Sequence, residues 1–264
     1  HPACTRRAGA ASSPLDAIVN VVHKEIVVHE APATSQPKTR RRQVSEERIL
    51  DAATRMVLSQ GYDGLNMKDV ADAADYTPGA LYRYFPSKSA LLAAVVVRLL
   101  GRLSDDLVAL EEAPAARTTL ARVVALGLCY RRFALTQPHA FGLFSAMLAD
   151  PRVLLPEPEE RAVIVMAMHR TLMPLARQLD HAAQVGELPP GATETRALML
   201  FTSLHGALQL GKQERLALLP IATDTLVHSL LEALLVGLGA PRDTVVAALA
   251  DGRALLTHTS QVAS

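Results

Sequence analysis

The sequence predicts an all-α protein with an N-terminal three-helix domain, which contains a helix-turn-helix, and a larger C-terminal helical domain. Prolines divide the chain beyond residue 37 into segments whose apolar residues recur with helical spacing, and proline is tolerated in the first turn of a helix but breaks its interior. These segments are rich in Ala, Leu, Glu, Arg and Met, which favour helices, and contain few alternating β-branched runs. Two helix-capping patterns, eleven residues apart, predict a pair of short helices joined by a tight turn.

The first of these capping patterns predicts a helix that begins at Met67. Asn66 is a favourable N-cap residue, and Asp69 stands three residues later, where an acidic side chain completes a capping box. Leu65 and Val70 occupy the two positions of a hydrophobic staple. The helix is therefore expected to have a fixed start and a defined entry angle.

The second capping pattern predicts a second short helix and, after it, a long one. Thr77 is its N-cap, Pro78 stands at the first helical position, and Tyr76 with Leu81 forms the staple pair. A third cap, Ser87, is expected to begin a long helix that runs through Leu110. Two short helices with a turn of three to four residues between them form a helix-turn-helix.

A further helix and a basic arm precede this pair. Apolar residues at helical spacing predict a helix over residues 46–60, which Gly61 ends. The basic residues of 38–42 form an arm suited to phosphate or minor-groove contact. A solvated charge run is the alternative interpretation, and the neighbouring helix-turn-helix favours the nucleic-acid one. Residues 1–43 are expected to be a disordered tail that ends in this arm.

Length, charge and cysteine content limit the class of protein. The chain has 264 residues, enough for one large or two modest domains. Its net charge is +1, but residues 1–104 carry 14 basic and 10 acidic residues, whereas residues 105–264 carry 13 and 16. Such asymmetry indicates a nucleic-acid module followed by a different one. Cys4 and Cys129, far apart in sequence, exclude a disulfide scaffold and favour a reducing cytoplasm.

The sequence contains neither a membrane-spanning segment nor a secretory signal that we can identify. No apolar run approaches the roughly 18 residues that a spanning helix needs. Residues 18–28 are apolar, but His23, Lys24 and Glu25 interrupt them, so they do not form the apolar region of a signal peptide. We therefore expect a soluble cytoplasmic protein.

The stretch 45–91 closely resembles the DNA-binding domain of the tetracycline-repressor (TetR) family. The motifs that carry the resemblance are Gly61-Tyr62, Met67-Lys68-Asp69-Val70-Ala71, Ala74, Thr77-Pro78-Gly79-Ala80-Leu81-Tyr82-Arg83-Tyr84-Phe85 and Ser87-Lys88. They cover about a fifth of the chain. Asp75 and Tyr76 depart from the family pattern, which usually has Gly then Val in the turn; Asp tolerates left-handed backbone better than most residues, so the turn is expected to form.

Residue chemistry and the resemblance together predict which side chains contact DNA. Arg83 is the long donor of the second helix and is expected to read a base, with guanine the best match. Gly79 and Ala80 are small enough for close backbone approach and thymine-methyl contact. The remaining predicted residues contact phosphates or the DNA backbone, and packing within the domain is the alternative role for one of the two tyrosines. The predicted DNA-binding residues are Arg40, Arg41, Arg42, Asn66, Lys68, Thr77, Pro78, Gly79, Ala80, Tyr82, Arg83, Tyr84 and Lys88.

The C-terminal part is expected to bind ligand and dimerise. The predicted domains are residues 44–104 for DNA binding, 105–240 for ligand binding and dimerisation, and 241–264 for a C-terminal helix and tail. Residues 195–210 are apolar on nearly all sides, which predicts burial on both faces, and residues 224–238 carry a leucine stripe suited to a dimer seam. The alternative is that both helices fill the core of a single chain. The predicted interface residues are Leu204, Gly206, Ala207, Leu226, Val227, Leu230, Leu231, Leu234 and Leu235.

Aromatic and sulfur-containing residues on successive helices predict an apolar pocket, although ordinary core packing is the competing explanation. His169 and His205 are candidates to orient a polar ligand group. Pro174 lies inside the segment 159–183 and is expected to kink or split that helix. The predicted ligand-binding residues are Tyr130, Phe133, Phe141, Phe144, Met147, Met166, His169, Met173 and Met199.

The resemblance implies a homodimeric, ligand-responsive regulator of transcription, most often a repressor. The expected partners are double-stranded operator DNA, a second copy of the chain and an unknown small apolar inducer, with no membrane, cofactor or metal. The sequence shows no phosphate-binding glycine loop, nucleophile elbow or histidine and cysteine spacing for a metal, so we do not expect an enzyme. The alternative function is a helical small-molecule-binding or enzymatic protein whose DNA-binding motif no longer functions.

Overall fold

The computed structural model describes residues 36–114, 118–149, 157–214 and 222–262. Within these ranges the secondary structure is helical, with connecting turns and no strand, as the sequence predicts. Residues 1–44 and 45–264 form two compact units. The described part of the first unit, residues 36–44, is helical. The predicted disorder of residues 1–35 lies outside the described residues.

Ten α-helices follow one another in the described ranges. They are α1 (Gln36–Gln60), α2 (Met67–Ala73), α3 (Pro78–Leu81), α4 (Lys88–Glu112), α5 (Thr119–Thr136), α6 (Pro138–Ala149), α7 (Pro158–Gln184), α8 (Thr193–Glu214), α9 (Thr223–Gly237) and α10 (Arg242–Val262). The predicted boundary between residues 104 and 105 falls inside α4, so one continuous helix leaves the helix-turn-helix and enters the C-terminal part.

The first helix is longer than the sequence predicts. It begins at Gln36 rather than near residue 46, so the basic residues of the arm are helical, and the prediction of a disordered tail through residue 43 is wrong for 36–43. Two physical reasons account for this difference. Pro37 lies in the first turn, where proline is tolerated, and the arginines and glutamines that follow have high helix propensity.

The predicted caps of the three helices that follow are confirmed. The Asn66 side chain accepts a hydrogen bond from the backbone N–H of Lys68 at 3.0 Å, and α2 begins at Met67. Thr77 Oγ1 accepts from Ala80 N at 3.2 Å, and Ser87 Oγ accepts from the N–H of the residue three positions on at 2.9 Å. Each cap satisfies one of the backbone donors that a helix start leaves without an intrahelical partner.

Two further features of the chain path can be compared with the sequence. Gly61, which ends α1, has φ of +82°, and Asp75 in the helix-turn-helix has φ of +61°, so both adopt the left-handed backbone. Asp75 is the one non-glycine residue with positive φ in the described ranges. Pro174 lies inside α7 without splitting it, so that part of the prediction is wrong.

The helical body is built on two extensive helix pairs, α4 with α7 and α5 with α10. α10 crosses α5 closely at Gly252, where a Cβ atom would lie 2.7 Å from the carbonyl oxygen of Ala121 and 2.7 Å from Val124 Cγ1. Cys129 on α5 is a buried free thiol, and burial raises its pKa to about 11. None of the helices in the described ranges has the length and apolarity needed to cross a bilayer.

Candidate recognition surface and internal cavity

The second helix of the helix-turn-helix is short and firmly anchored. After the Thr77 cap, α3 forms one α-helical turn, and the chain continues in hydrogen-bonded turns, in which Tyr84 N and Phe85 N donate to the Leu81 carbonyl oxygen at 2.9 and 3.0 Å. The Leu81 side chain is fully buried in the core of the three-helix domain. This anchor fixes which side chains of the segment face outward.

Most of the predicted contact residues of this segment face solvent. Thr77, Pro78 and Gly79 are exposed at the start of the helix, and a Cβ added at Gly79 would meet no atom within 4 Å. The Tyr82 side chain is 49% exposed, and Arg83 is exposed beside it. The surface therefore offers an open, small-residue helix start followed by one phenol and one guanidinium.

Ala80 and Tyr84 differ from these neighbours because both are half-buried. The Tyr84 ring packs edge-on against Tyr76, with ring centroids 6.0 Å apart. Tyr84 is thus the tyrosine of the pair that packs within the domain, and Tyr82 is the one whose ring faces solvent.

A side-chain cluster that the sequence analysis missed holds the turn of the helix-turn-helix. Arg48 on α1 forms an ion pair with Asp75, at 2.7 Å between Nη2 and Oδ2, and its guanidinium lies 5.7 Å from the centroid of the Tyr76 ring. The two residues at which the chain departs from the TetR pattern are therefore those that Arg48 contacts. The departure from the family pattern at these two positions was the available signal for a special contact at the turn, but nothing in the sequence indicated Arg48 as the partner.

The other predicted DNA-contact residues are exposed. Asn66 and Lys68 begin α2, Lys88 begins α4, and the three arginines of the arm lie on α1. The charge is distributed differently from the expectation, however. Residues 45–104 carry seven basic and seven acidic side chains, so the basic excess of the N-terminal part lies entirely in residues 1–44.

Three sets of polar contacts hold α1 and the start of α4 against the helices that pack on them. Arg98 on α4 forms ion pairs with Glu47 and Asp51 of α1, and its side chain is 13% exposed. The ring nitrogen Nδ1 of His139, on α6, lies 2.9 Å from the carbonyl oxygen of Leu58. Both α4 and α6 are therefore linked to α1 by polar contacts.

The third set of contacts lies at the start of α4. Glu160 Oε1, in the first turn of α7, accepts hydrogen bonds from Ser87 Oγ at 3.3 Å and Ser89 Oγ at 3.0 Å. Ser87 is also the N-cap of α4, so this carboxylate contacts the residue at which the long helix begins.

The body contains an apolar cavity of about 50 Å³ between α4, α5, α6, α7 and α8. Its lining residues are Leu100, Leu103, Leu107, Leu126, Gly127, Tyr130, Phe144, Met168, Thr171, Leu172, Leu175, Phe201 and Leu204. Of the predicted ligand-binding residues, Tyr130 and Phe144 line it. Three leucines of α4 form one wall, so the long helix that begins at Ser87 also bounds the cavity.

The structure does not bring the other predicted pocket residues to this cavity. Phe133, Phe141 and Met147 are buried in the surrounding core. Met166, His169 and Met173 are half-buried on α7, and Met199 is 43% exposed. Residue type does not reveal which side of a helix faces the interior, and the lining of this cavity is mostly leucine, which a sequence presents as ordinary core.

Tyr130, one of the lining residues of the cavity, is joined by hydrogen bonds through the buried His205 to the exposed Gln209 side chain. Tyr130 Oη lies 2.6 Å from His205 Nδ1, and His205 Nε2 lies 2.9 Å from the Gln209 side-chain nitrogen. Burial raises the pKa of the Tyr130 hydroxyl and lowers the pKa of the His205 ring. Both side chains are therefore neutral near pH 7.

The predicted dimer residues divide into two groups. Five of them fill the core of the single chain, which leaves them unavailable to a partner: Leu204, Ala207, Val227, Leu231 and Leu235. Leu226, Leu230 and Leu234 are half-buried, and Gly206 is exposed. The prediction of a seam built from the whole stripe is corrected, because one side of each helix packs against α5 and the neighbouring helices.

The outward faces of α8 and α9 remain apolar. Leu198, Met199 and Leu210 on α8 are 45%, 43% and 42% exposed, and Val236 on α9 is 37% exposed. Within one chain only the inner face of α8 is buried, so the predicted burial of both faces stays a prediction that requires a partner on the outer face. Within the described ranges, no group of three or more metal-ligating side chains is found.

Comparison with known proteins agrees with this architecture. The family profile "Bacterial regulatory proteins, tetR family" matches residues 49–95, and the profile "Tetracyclin repressor-like, C-terminal domain" matches residues 123–234. The chain belongs to the TetR family. TetR-family proteins are DNA-binding regulators of transcription and not enzymes.

Two curated TetR-family relatives each match about a third of the chain. The transcriptional repressor KstR of Mycobacterium tuberculosis is 40% identical over 92 residues, 35% of this chain and 40% of the relative. The transcriptional regulator BetI of Rhizobium meliloti is 39% identical over 90 residues, 34% of this chain and 43% of the relative. The matched segments thus span about two fifths of each relative's length.

Solved structures share the TetR fold over most of the chain. A Rhodococcus protein of unknown function is 25% identical, with a TM-score of 0.60 over 81% of this chain and 98% of the other. RolR in complex with resorcinol is 19% identical, with a TM-score of 0.59 over 81% and 95%. The fatty acid degradation regulator FadR of Bacillus halodurans is 20% identical, with a TM-score of 0.55 over 75% and 97%.

Proposed function

We propose that this TetR-family protein is a repressor that binds a palindromic operator as a homodimer and is released by a small apolar effector. One observation carries the proposal: α4 begins directly after the solvent-facing recognition segment 77–84, and the same helix forms a wall of the internal cavity. A ligand in the cavity and the DNA-contacting surface therefore act on one rigid element. Repression in the KstR relative agrees with this direction of control.

The recognition segment supplies base contacts and the surrounding residues supply phosphate contacts. Arg83 reaches a guanine edge in the major groove, while Gly79 allows the backbone to approach the groove floor. Tyr82 and Lys88 contact phosphates on either side of the segment, together with Thr77, Pro78, Ala80, Asn66 and Lys68. Because residues 45–104 carry no net charge, the arginines of the arm supply most of the electrostatic attraction.

The outward faces of α8 and α9 form the dimer interface in this proposal. One exposed stripe of α8 contains Leu198, Gly206 and Leu210, which follow one another at spacings of eight and four residues. Val236 extends the apolar surface onto α9. A second copy is the fitting occupant, because a two-fold axis places the same two helix faces against each other in a four-helix arrangement. Half-buried Leu226, Leu230 and Leu234 become fully buried at its edge.

Effector binding acts through the size of the cavity. A cavity of about 150 Å³ accommodates benzene, and ligand pockets usually measure about 300–1,000 Å³, so a volume of about 50 Å³ must widen to take a ring-sized ligand. Widening displaces the leucines of α4, and the contacts of Glu160 and Arg98 carry that displacement to the DNA-binding domain. A coupling of about 1–3 kcal/mol changes operator affinity roughly 5–150-fold.

Selection of genomic DNA fragments followed by footprinting tests the operator part of this proposal. We expect protection of two half-sites centred about one helical turn, 34–36 Å, apart and two chains, or a multiple of two, per operator by sedimentation. A folded protein that selects no sequence and binds duplex DNA without salt dependence would instead support the alternative of a helical binding protein that has lost DNA binding.

The dimer interface is tested by replacing Gly206 with arginine. A Cβ at Gly206 meets no atom of its own chain within 4 Å, so the single chain tolerates the substitution, whereas a desolvated guanidinium at a two-fold seam is strongly unfavourable. We expect light scattering to report a dimer for the wild type and a monomer for Gly206→Arg.

Val163→Arg is the matched control, since Val163 is 43% exposed on α7, outside the proposed interface. It should remain a dimer. A monomeric wild type at micromolar concentration, or a dimeric Gly206→Arg protein, contradicts the assignment of this face.

A further inference from the structure

A larger opening lies outside the apolar cavity, in an open cleft of about 680 Å³. Residues 60–63, at the end of α1, form one side of it, and α6 forms much of the remainder with the last turns of α5 and α8 and the start of α9. Ligand pockets usually measure about 300–1,000 Å³, so this cleft has the volume of a ligand site without any widening. The described residues that line it include none of those that line the apolar cavity.

A polar part of the cleft lies at the turn that follows α1. Gly61 in this turn has φ of +82°, and a Cβ there would lie 3.9 Å from His139 Cδ2, so the imidazole of α6 packs beside the turn. His139 Nδ1 lies 2.9 Å from the carbonyl oxygen of Leu58, which can only accept a hydrogen bond. Nδ1 therefore donates, and Nε2 of the neutral ring remains as an acceptor. Asp63, exposed in the same turn, adds a carboxylate.

Two lining side chains on α6 and α8 also keep hydrogen-bonding capacity. The side-chain nitrogen of Gln209 lies 2.9 Å from His205 Nε2, which leaves the amide oxygen of Gln209 as an acceptor. Ser145 Oγ is buried and has no hydrogen-bond partner within the described part of the chain, which is unusual for a buried hydroxyl. The lining therefore suits a ligand that donates hydrogen bonds.

The charge of the cleft favours a cation. Among the described residues that line it, Asp63 is the one acidic side chain, and neither Lys nor Arg occurs. Asp63 forms no ion pair with another residue of the described ranges. A cationic ligand would gain a countercharge at Asp63, whereas an anionic ligand would meet a like charge and find no basic side chain.

The rest of the lining includes apolar side chains that suit a hydrocarbon body. Phe141 on α6 and Leu208 on α8 line the cleft and are buried, and Leu135 near the end of α5 is 44% exposed. An apolar group bound in the cleft would remove the exposed surface of Leu135 from water, which is favourable.

We propose that this cleft binds a small organic cation, an ammonium group carried on an apolar or aromatic body. The ammonium group donates to the Asp63 carboxylate, with His139 Nε2 as a second acceptor in the same part of the cleft, and the apolar body covers Leu135 and Phe141. The inference depends neither on the apolar cavity nor on operator binding. It adds a second ligand site to the chain, with a different chemical class of ligand.

Three probes of similar size separate the classes of ligand in isothermal titration calorimetry of the purified full chain. Phenethylamine is a cation near pH 7, phenethyl alcohol is neutral, and phenylacetate is an anion. We expect the amine to bind at least about fivefold more tightly than the alcohol, because a charge-assisted hydrogen bond is stronger than a neutral one, and phenylacetate to bind most weakly. Added salt should reduce this preference, because Asp63 is exposed.

Asp63→Asn tests the role of the carboxylate, since it removes the charge and keeps the size of the side chain. Asp72→Asn is the matched control, because Asp72 is exposed on α2 and does not line the cleft. We expect the preference for the amine over the alcohol to fall to within about twofold in Asp63→Asn. The Asp72→Asn protein should keep the preference of the wild type.

The position of the ligand is tested by fluorescence, because the chain contains no tryptophan of its own. Tyr62→Trp places a single fluorophore in the lining of the cleft, and Tyr82→Trp places one on the exposed recognition segment. We expect phenethylamine to change the emission of the Tyr62→Trp protein over the concentration range in which calorimetry detects binding. The emission of the Tyr82→Trp protein should not change.

Two kinds of result would overturn the inference. If the folded wild type binds none of the probes at millimolar concentration, or if phenethylamine binds without changing the emission of the Tyr62→Trp protein, the cleft is not the ligand site. If phenylacetate binds most tightly, or if Asp63→Asn keeps the full preference for the amine, the ligand is not a cation held by Asp63. Neither result bears on the proposed function, because Tyr62 and Asp63 belong neither to the proposed DNA contacts nor to the lining of the apolar cavity.

Discussion

Replacing Gly252 with alanine is expected to destabilise the helical body by about 2 kcal/mol or more. The added Cβ would lie 2.7 Å from the Ala121 carbonyl oxygen, a backbone atom that cannot rotate away, and 2.7 Å from Val124 Cγ1. Overpacking of a filled core typically costs about 1–3 kcal/mol and occasionally more, and this contact involves backbone on both sides. The closest crossing of α10 and α5 would have to open.

The matched control for this prediction is Gly101→Ala. Gly101 also lies in a helix interior, but a Cβ there meets no atom within 4 Å. Because alanine has a helix propensity about 1 kcal/mol more favourable than glycine, this variant should be unchanged or slightly stabilised. Urea unfolding followed by circular dichroism measures both. Equal stability of Gly252→Ala and the wild type would show that α10 does not pack on α5 as described.

Replacing Arg83 with alanine is expected to weaken operator binding about 10- to 100-fold. A good bidentate contact between arginine and guanine contributes about 1–3 kcal/mol of discrimination, and Arg83 is the long side chain that projects from the exposed recognition segment. Loss of a base contact should also relax sequence preference at one position in each half-site. Helix content and melting temperature should not change, because Arg83 is exposed.

Arg102→Ala provides the control for charge. Arg102 is exposed and lies on α4 within the body. Its replacement therefore removes one positive charge without changing the recognition surface. Its operator affinity should remain within about twofold of the wild type. If Arg83→Ala and Arg102→Ala bind the selected operator equally well, Arg83 does not read a base.

Local features of the fold were predictable from the sequence because they depend on neighbours along the chain. The caps at Asn66, Thr77 and Ser87 were found correctly, since an N-cap side chain bonds to a backbone N–H only two or three residues away. The left-handed backbone at Asp75 was likewise consistent with its residue type. The ion pair between Arg48 and Asp75 was not predictable, because the two residues lie 27 positions apart in the sequence.

Features that depend on which side of a helix is covered were predicted less well. The leucine stripe of α9 is real, but Val227, Leu231 and Leu235 face the chain's own core, and periodicity cannot distinguish an internal face from an intermolecular one. The sequence pattern predicts a cavity lined by aromatic and sulfur-containing residues, whereas leucines of α4 form one wall of the observed cavity. Its lining follows from the packing of α4 against α7, which no local pattern contains.

The excess positive charge of the N-terminal part can also be located more narrowly. The N-terminal part is basic as predicted, but its excess charge lies in residues 1–44, and residues 45–104 are balanced. This distribution supports the proposal that the folded domain supplies shape and base contacts, while the arm supplies the long-range attraction to phosphates. Affinity and specificity are thus assigned to different parts of the chain.

DNA binding by this chain is best measured by fluorescence-anisotropy titration of a genomically selected duplex with the wild-type protein. We expect a dissociation constant of about 10⁻⁸ M or tighter near physiological salt. Raising the salt from 50 to 200 mM should weaken binding by at least about tenfold, because phosphate contacts release counterions. Folded, dimeric protein that shows no binding below about 10 µM at 50 mM salt would contradict it.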